Sequence, residues 1–368
     1  MSKKKLCVID SHLTNYVLPV IIELSDYYDI DYLYSAIGKE EGFGDIFIPE
    51  GCKIKFKELK LLKPFNVFIG QYQTGIIKYI FSSKPDAIII FANLRYFSFW
   101  STLIIAKLFK IKIFPRGHGL FKKNKVSILL KLSYKIIFLL TDSYICYNDF
   151  VRNSFINFGF NTDKLAVAEN TFVNKYTVLP EQVIPNKKGI LFIGRLRTQS
   201  NLLLLVQVVE ELRNQESADW KLHIIGGGEF EQKIKNEYKD KKWIYFYGSI
   251  YDDKKIKEIS LNCTIGCYPG NVGLSIVHFF SLSLPVIIHS NLKHHNGPES
   301  SYLVDGINGK FFDYNLGKES LKNAIKFFQN IDNNKMIKMR SDAYHTYERL
   351  SNPPLSRKLR DIVESHFN

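Results

Sequence analysis

Three glycine-bearing segments in the second half of the chain have the residue types to hold an anion. Gly194-Arg195-Leu196 follows the apolar run Ile190–Ile193. A glycine at a strand end, followed by an arginine that opens a helix, sets a guanidinium over unpaired backbone N–H groups, an arrangement that favours a diphosphate. A surface arginine after an ordinary turn has the same sequence. Ile224-Ile225-Gly226-Gly227-Gly228-Glu229 repeats the order of strand, glycines and helix; its glycines either admit a ligand close to the backbone or simply form a loop. Pro269-Gly270-Asn271-Val272-Gly273-Leu274-Ser275 leads into an apolar helix whose start is a second place for negative charge. Two such sites in one unit point to a nucleotide diphosphate.

Other chemistry-bearing residues are scattered. His118 lies between Gly117 and Gly119 at a strand end, where it has little to pack against and is expected to face a ligand. His12 either faces the same end of the sheet or belongs to a helix-capping neighbourhood. Asp29-Ile30-Asp31 fits a D-x-D metal pattern, but alternating acids on a solvated strand edge are the expectation. The five cysteines are odd in number and mostly sit inside strand patterns, as reduced core thiols do. Cys263 and Cys267 lack a second cysteine pair and a local histidine, so no metal is expected.

These residues need a frame that brings strand ends together. Short apolar runs alternate with amphipathic stretches throughout, with strands expected near residues 5–10, 31–35, 53–57, 87–93, 112–117, 143–148 and 164–170. After the polar stretch Pro180–Lys188 the alternation restarts near 189–194, 221–226, 243–248, 262–268, 285–290 and 309–314. The pattern spells an α/β protein of two doubly wound, Rossmann-like units, 1–180 and 181–316, followed by a helical tail, 317–368, that crosses back to the first unit. Their ligand is expected in a cleft beyond the carboxyl ends of the strands.

At 368 residues and 46% hydrophobic, the chain can build two cores. Its net charge of +14 is concentrated: residues 51–135 hold 17 basic side chains against Glu58 and Asp86. Lys107, Lys110, Lys131 and Lys135 interrupt the greasiest stretches, so no segment reaches the ~18 residues needed to span a bilayer. Ser2-Lys3-Lys4-Lys5 is followed only by Leu6–Ile9 before Asp10. That run is shorter than the ~7 residues of a signal-peptide core, and a cytoplasmic protein is expected. Val126–Leu140 is so widely apolar that a core helix is the simplest reading. Lys122, Lys123 and Lys125 at its start form a candidate acceptor-side or membrane surface, peripheral to the inner face of the cytoplasmic membrane. The aromatics fall inside strand and helix patterns rather than between lysines, so nucleic acid is not the expected partner.

The second half resembles the nucleotide-sugar-binding domain of GT-B glycosyltransferases, specifically glycosyltransferase family 4. The matching residues are Phe192–Leu196, Ile224–Gly228, Phe246–Gly248, Val272–Leu274, Leu284–Ile287, Pro298-Glu299 and Val304–Gly309, in family order. In the first half, Thr141–Ile145 and Glu169–Val173 resemble the family's strand and linker near the domain end. The sequence departs from the pattern at Ser200, where the family has lysine, at Gly270 and His278, where it has glutamates, and at Asp10-Ser11-His12-Leu13-Thr14, which replaces a glycine-rich loop.

The resemblance implies two domains facing across a cleft and a metal-independent, retaining transfer of a sugar from a nucleotide diphosphate to a glycan or lipid-linked acceptor, with no cofactor. It assigns His118 and Arg195 to catalysis. It assigns Gly194, Arg197, Ser200, Gly228, Ile250, Asn271, Val272, Gly273, Leu274, His278 and Glu299 to the donor. Arg197 substitutes for the absent lysine, and His278 or Glu299 takes the ribose contact. Base selectivity falls to the loop around Ser249–Tyr251. A non-catalytic scaffold of the same shape is the alternative, and an epimerase a third.

Overall fold

The strand candidates carry Ile, Leu, Val and Phe with little alternation, the composition of strands buried on both faces of a parallel sheet. The computed structural model describes residues 3–35, 48–62, 70–182, 188–216 and 218–367. It divides into two units, Met1–Phe172 with Pro353–Asn368, and Val173–Asn352. Most of the expected linker, residues 183–187, lies outside the described residues.

The first unit runs β1 (Lys5–Ile9), α1 (Val17–Leu24), β2 (Asp29–Ser35), β3 (Lys55–Leu59), β4 (Leu61–Leu62), β5 (Tyr72–Gln73), α2 (Ile76–Ser83), β6 (Ala87–Phe91), α3 (Phe97–Leu108), β7 (Lys112–Gly117), α4 (Ile128–Leu140), β8 (Tyr144–Cys146), α5 (Asp149–Asn157) and β9 (Leu165–Val167). Its parallel sheet has the order β3-β2-β1-β6-β7-β8-β9, and β4 and β5 form a separate antiparallel ribbon. Ile76, Phe99, Leu103, Ile137 and Phe155 from α2 to α5 fill one face of the sheet. Leu18, Ile21 and Leu24 of α1 fill the other.

The second unit runs β10 (Gly189–Ile193), α6 (Leu202–Glu216), β11 (Lys221–Ile225), α7 (Glu231–Glu237), β12 (Ile244–Phe246), α8 (Asp253–Ser260), β13 (Ile265–Tyr268), α9 (Ser275–Ser281), β14 (Val286–His289), β15 (Gly309–Phe312), α10 (Gly317–Asn330) and α11 (Asn333–Ser351). The sheet order is β12-β11-β10-β13-β14-β15, all parallel. The direction of winding reverses between β10 and β13. In open α/β sheets that switch point opens a crevice at the carboxyl ends of the strands.

The tail divides differently from the expectation. Gly317–Asn352 packs within the second unit, and only Pro353–Asn368, with α12 (Leu355–Glu364), belongs to the first. Pro353-Pro354 breaks α11 from α12, since proline cannot continue a helix yet suits the start of the next. Leu355, Leu359 and Val363 of α12 complete the core over α1. Polar pins surround that seam: Ser356 Oγ donates to Glu23 at 2.6 Å, Tyr28 Oη donates to Glu364 at 2.8 Å, and Lys358 pairs with Glu169 at 2.8 Å. The first boundary also falls at Phe172/Val173, earlier than the expected 180/181.

Truncating a buried leucine removes transfer free energy and leaves a cavity, so Leu359→Ala should destabilise the first unit by about 2–4 kcal/mol. Urea unfolding followed by hydrogen exchange would show the loss in α1 and β1. A change below about 0.5 kcal/mol would mean that α12 is not part of this core.

Candidate functional site

The loops at the β10/β13 switch point are laced together through their backbones. Leu196 N–H donates to Gly227 O at 2.9 Å, Gly194 N–H to Ile225 O at 3.0 Å, and Gly226 N–H to Gly248 O at 2.8 Å. Asn271 N–H donates to Gln199 O at 2.8 Å, tying the loop after β13 to the loop after β10. Gly226 has φ +142° and lies so near Gly194 O that a β-carbon would collide with it. At this position the glycine serves close approach between the protein's own loops. Gly228 is packed in the same way against Leu196 O.

Arg195 does not open a helix. A 3-10 turn, Thr198–Ser200, comes first and α6 begins at Leu202. The amides along this loop are largely taken by the protein: Arg197 N–H donates to Arg195 O, Ser200 N–H to Arg197 O and Asn201 N–H to Thr198 O, at 2.9–3.2 Å. Ser200 is buried and its hydroxyl donates to Arg197 O at 2.6 Å, so it caps its own turn. Arg195 and Arg197 are half-buried. Arg197 Nε is buried with no hydrogen-bond partner among the described residues.

A second clamp comes from the segment after β14. His295 Nδ1 accepts from Val272 N–H at 3.1 Å, which places the ring proton on Nε2, where it donates to His289 O at 3.0 Å. The rings of His289 and His295 stack at 3.7 Å, and His289 Nε2 reaches Asn271 Oδ1 at 3.3 Å. Asn296 holds the same loop, its N–H donating to Val272 O at 2.9 Å and its Nδ2 to Asn271 O. Beyond Val272, the amides of Gly273, Leu274 and Ser275 make no hydrogen bond to another described residue. The unsatisfied donors of the expected anion site therefore sit at the start of α9, beside the loop that carries Arg195 and Arg197.

His278, on α9, is half-buried, and burial holds its pKa down at about 4. Glu299 is only 2% exposed, inside the 3-10 turn Pro298–Tyr302, and so is not a solvated loop acid. Ile250 is half-buried in the loop after β12, next to exposed Tyr251. Gly270 explains its own departure from the family pattern. A β-carbon there would collide with the backbone of Gln199 and Ser200, so no glutamate fits while the two loops are joined.

The first unit gathers its own cluster at the ends of β1 and β7. His118 does not lack packing partners, contrary to the expectation. Its ring stands edge-on to Tyr147 at 4.8 Å, Phe121 at 5.9 Å and Phe91 at 6.2 Å. Burial, with Lys122 and Arg116 nearby, lowers its pKa to about 4, and its ring nitrogens bond to no other described residue. It is a neutral imidazole able to accept or donate to a sugar hydroxyl. Sequence reasoning missed Arg116, whose guanidinium lies over Tyr147 at 4.3 Å and donates to Asn170 Oδ1 at 2.9 Å. Its Nε is buried without a partner among the described residues. An arginine beside Gly117-His118-Gly119 at a strand end was the available signal. Burial pushes the Asp10 carboxyl up, against the charges of Arg116 and His12. His12 Nδ1 meets Ser11 Oγ at 2.7 Å.

The remaining candidates fall elsewhere. Lys122, Lys123 and Lys125 are exposed ahead of α4. Asp31 is not on a solvated edge: it is buried, pairs with Lys5 at 3.1 Å and accepts from Ser83 Oγ at 2.9 Å. Cys7, Cys146, Cys263 and Cys267 are buried free thiols whose pKa burial raises.

Residues 179–346 match the family model described as glycosyl transferases group 1. No curated protein matches the chain. Among solved structures, HepE from Anabaena in complex with UDP and glucose is similar over 100% of both chains, at TM-score 0.68 and 14% identity. A glycosyltransferase from Rickettsia africae ESF-5 covers 99% of this chain and 98% of its own, at TM-score 0.70 and 16% identity. The lipopolysaccharide outer core galactosyltransferase WaaB covers 98% and 99%, at 0.66 and 14%. The shared architecture is the GT-B fold.

Two outcomes follow from this geometry. Gly270→Ala should lower the melting temperature and weaken nucleotide binding. Gly273→Ala, where a β-carbon would meet only Asn296 Cβ at 3.7 Å, should leave the melting temperature nearly unchanged. Equal effects in a thermal melt would overturn the lacing of the two loops. His118, His278 and His289 all have pKa values lowered from 6.5 to about 4. Between those values the unfolded chain binds more protons, so stability should hold above pH 6.5 and fall as the pH drops toward 4. Denaturation midpoints across that window should fall less steeply for His278→Gln, and an unchanged slope would assign the effect to other groups.

Proposed function

We propose that this chain, which shares the GT-B fold and matches the glycosyl transferases group 1 model over residues 179–346, is a glycosyltransferase that moves a sugar from a nucleotide diphosphate, without a metal and with retention, to a lipid-linked or surface-polysaccharide acceptor. The match of the second unit to that family carries the reading. The neighbours solved with UDP and UDP-glucose make uridine diphosphate sugars the first donors to test.

In the proposed reaction the bond from the anomeric carbon to the phosphate oxygen breaks as the acceptor oxygen bonds to that carbon. The acceptor proton passes to the departing phosphate oxygen, so no protein nucleophile is compulsory. The protein has to offset charge growing on the diphosphate. Arg195, Arg197 and the amides of Gly273, Leu274 and Ser275 are the groups at the β10/β13 switch point suited to that task. Neutral His278 takes the place of a carboxylate at the ribose, and neutral His118 contacts a sugar hydroxyl. The lysine-rich first unit supports an acceptor held at an anionic membrane, on its inner face. No helix among the described residues is long and apolar enough to cross one.

Release of free nucleoside diphosphate from a panel of UDP- and GDP-sugars, run with and without EDTA, tests the reading; thermal shift reports binding separately. Arg195→Ala should cut kcat/KM by about 10²–10³, the scale of losing one charge-stabilising donor, at an unchanged melting temperature. Unaltered turnover would remove Arg195 from the chemistry. Donor binding without turnover, whatever acceptor is supplied, would identify a non-catalytic binding subunit instead.

A further inference from the structure

Helix α4 has two apolar faces, and the first unit covers only one. Tyr134 and Ile137 are buried in the core over the sheet. Ile128, Leu129, Leu132, Ile136 and Leu139 are exposed, Ile128 at 88%, Leu129 at 74% and Leu139 at 70%. At about 100° per residue these five fall within an arc of about 100°, on the side away from the core. The helix has 13 residues, and at ~1.5 Å each they make an apolar ridge about 20 Å long. Expected from sequence to be a core helix, α4 is therefore only half a core helix.

The charges around the ridge have one sign. Lys131 and Lys135 are exposed along one edge of it, and Lys122, Lys123 and Lys125 are exposed just ahead of its start. Ser127 caps that start, its Oγ accepting from Leu130 N–H at 3.2 Å, so the helix begins at Ile128. Helix α3 packs beside α4 and ends in exposed Leu108, followed by exposed Phe109, with Lys107 and Lys110 on either side. No aspartate or glutamate occurs between Asp86 and Asp142.

Single exposed leucines are ordinary, but a continuous ridge marks an interaction site. We propose that the α4 ridge lies in the surface of an anionic bilayer, its leucines and isoleucines at the boundary of headgroups and acyl chains and its lysines at the phosphates. A second copy of the chain fits this face less well, because a two-fold axis through the ridge would set the same lysines against one another. The proposal deepens the membrane-held acceptor of the proposed function and rests on it only for its purpose, because vesicle binding is measured with neither donor nor acceptor.

The test is sedimentation with vesicles of phosphatidylcholine alone and with phosphatidylglycerol added, at low and high salt. The wild type should bind the anionic vesicles and retain part of that binding at high salt. Leu129→Gln/Leu132→Gln/Leu139→Gln, at exposed positions that spare the core, should bind at least about tenfold more weakly with unchanged circular dichroism and melting temperature. Leu132→Trp should show added fluorescence that lipids doxyl-labelled near the headgroup quench. Binding that salt abolishes and the triple variant retains would overturn the ridge in favour of lysines alone. Loss of a dimer in the triple variant with vesicle binding intact would overturn it in favour of self-association. Vesicle binding by a protein that releases no nucleoside diphosphate would sustain the ridge and sink the enzyme reading; turnover without vesicle binding would do the reverse.

Discussion

The site in the second unit depends on backbone pairing between loops that leave neighbouring strands. Gly194, Leu196 and Gly226 exchange hydrogen bonds with the ends of β11 and β12, and Asn271 joins the loop after β13 to the loop after β10. Each bond is worth only about 1 kcal/mol net, but an unpaired buried amide costs more than that, so the loops hold one another in a single arrangement. That arrangement uses up the amides that sequence alone would have offered to a ligand, and it leaves those at the start of α9. Preorganisation of this kind is what an electrostatic site needs, because donors already fixed in place need not reorganise when charge develops.

Histidines extend the same constraint. His295 can accept from Val272 only with Nδ1 unprotonated, and its stacked neighbour His289 is held neutral by burial and by His294. Protonation of His295 at Nδ1 would break the contact that positions Val272. In the first unit the balance differs: Arg116 supplies a fixed cation above Tyr147 while His118 stays neutral beside it. One unit thus places cations on loops after a strand, and the other places a cation at a strand end against a ring.

Much of this frame was legible because buried parallel strands announce themselves as apolar runs. The runs at Ala87–Phe91 and Gly189–Ile193 carry no charge and became central strands. The ribbon of Leu61–Leu62 with Tyr72–Gln73 was not read, since two-residue strands have no periodicity to detect. The placement of Arg116, His289 and His295 depends on contacts between residues far apart in sequence. The outer face of α4 was misread for a different reason. A helix apolar over most of its surface looks the same in sequence whether or not the fold covers its second face.

The departures from the family pattern also look different once the loops are placed. Gly270 and Ser200 read in sequence as two separate losses, an acid and a base. In the structure they are neighbours: the space a side chain at Gly270 would need is filled by the backbone of Gln199 and Ser200, and Ser200 turns its hydroxyl onto Arg197 O. A glutamate at position 270 would have to push aside the turn that seats Arg197. The two changes therefore meet at one junction, where the β10 and β13 loops join too closely to hold an acid at position 270. The cations that stay on this loop are Arg195 and Arg197. Arg197 carries a buried nitrogen that no described residue satisfies, and an unsatisfied buried donor persists only where something it provides outweighs its cost.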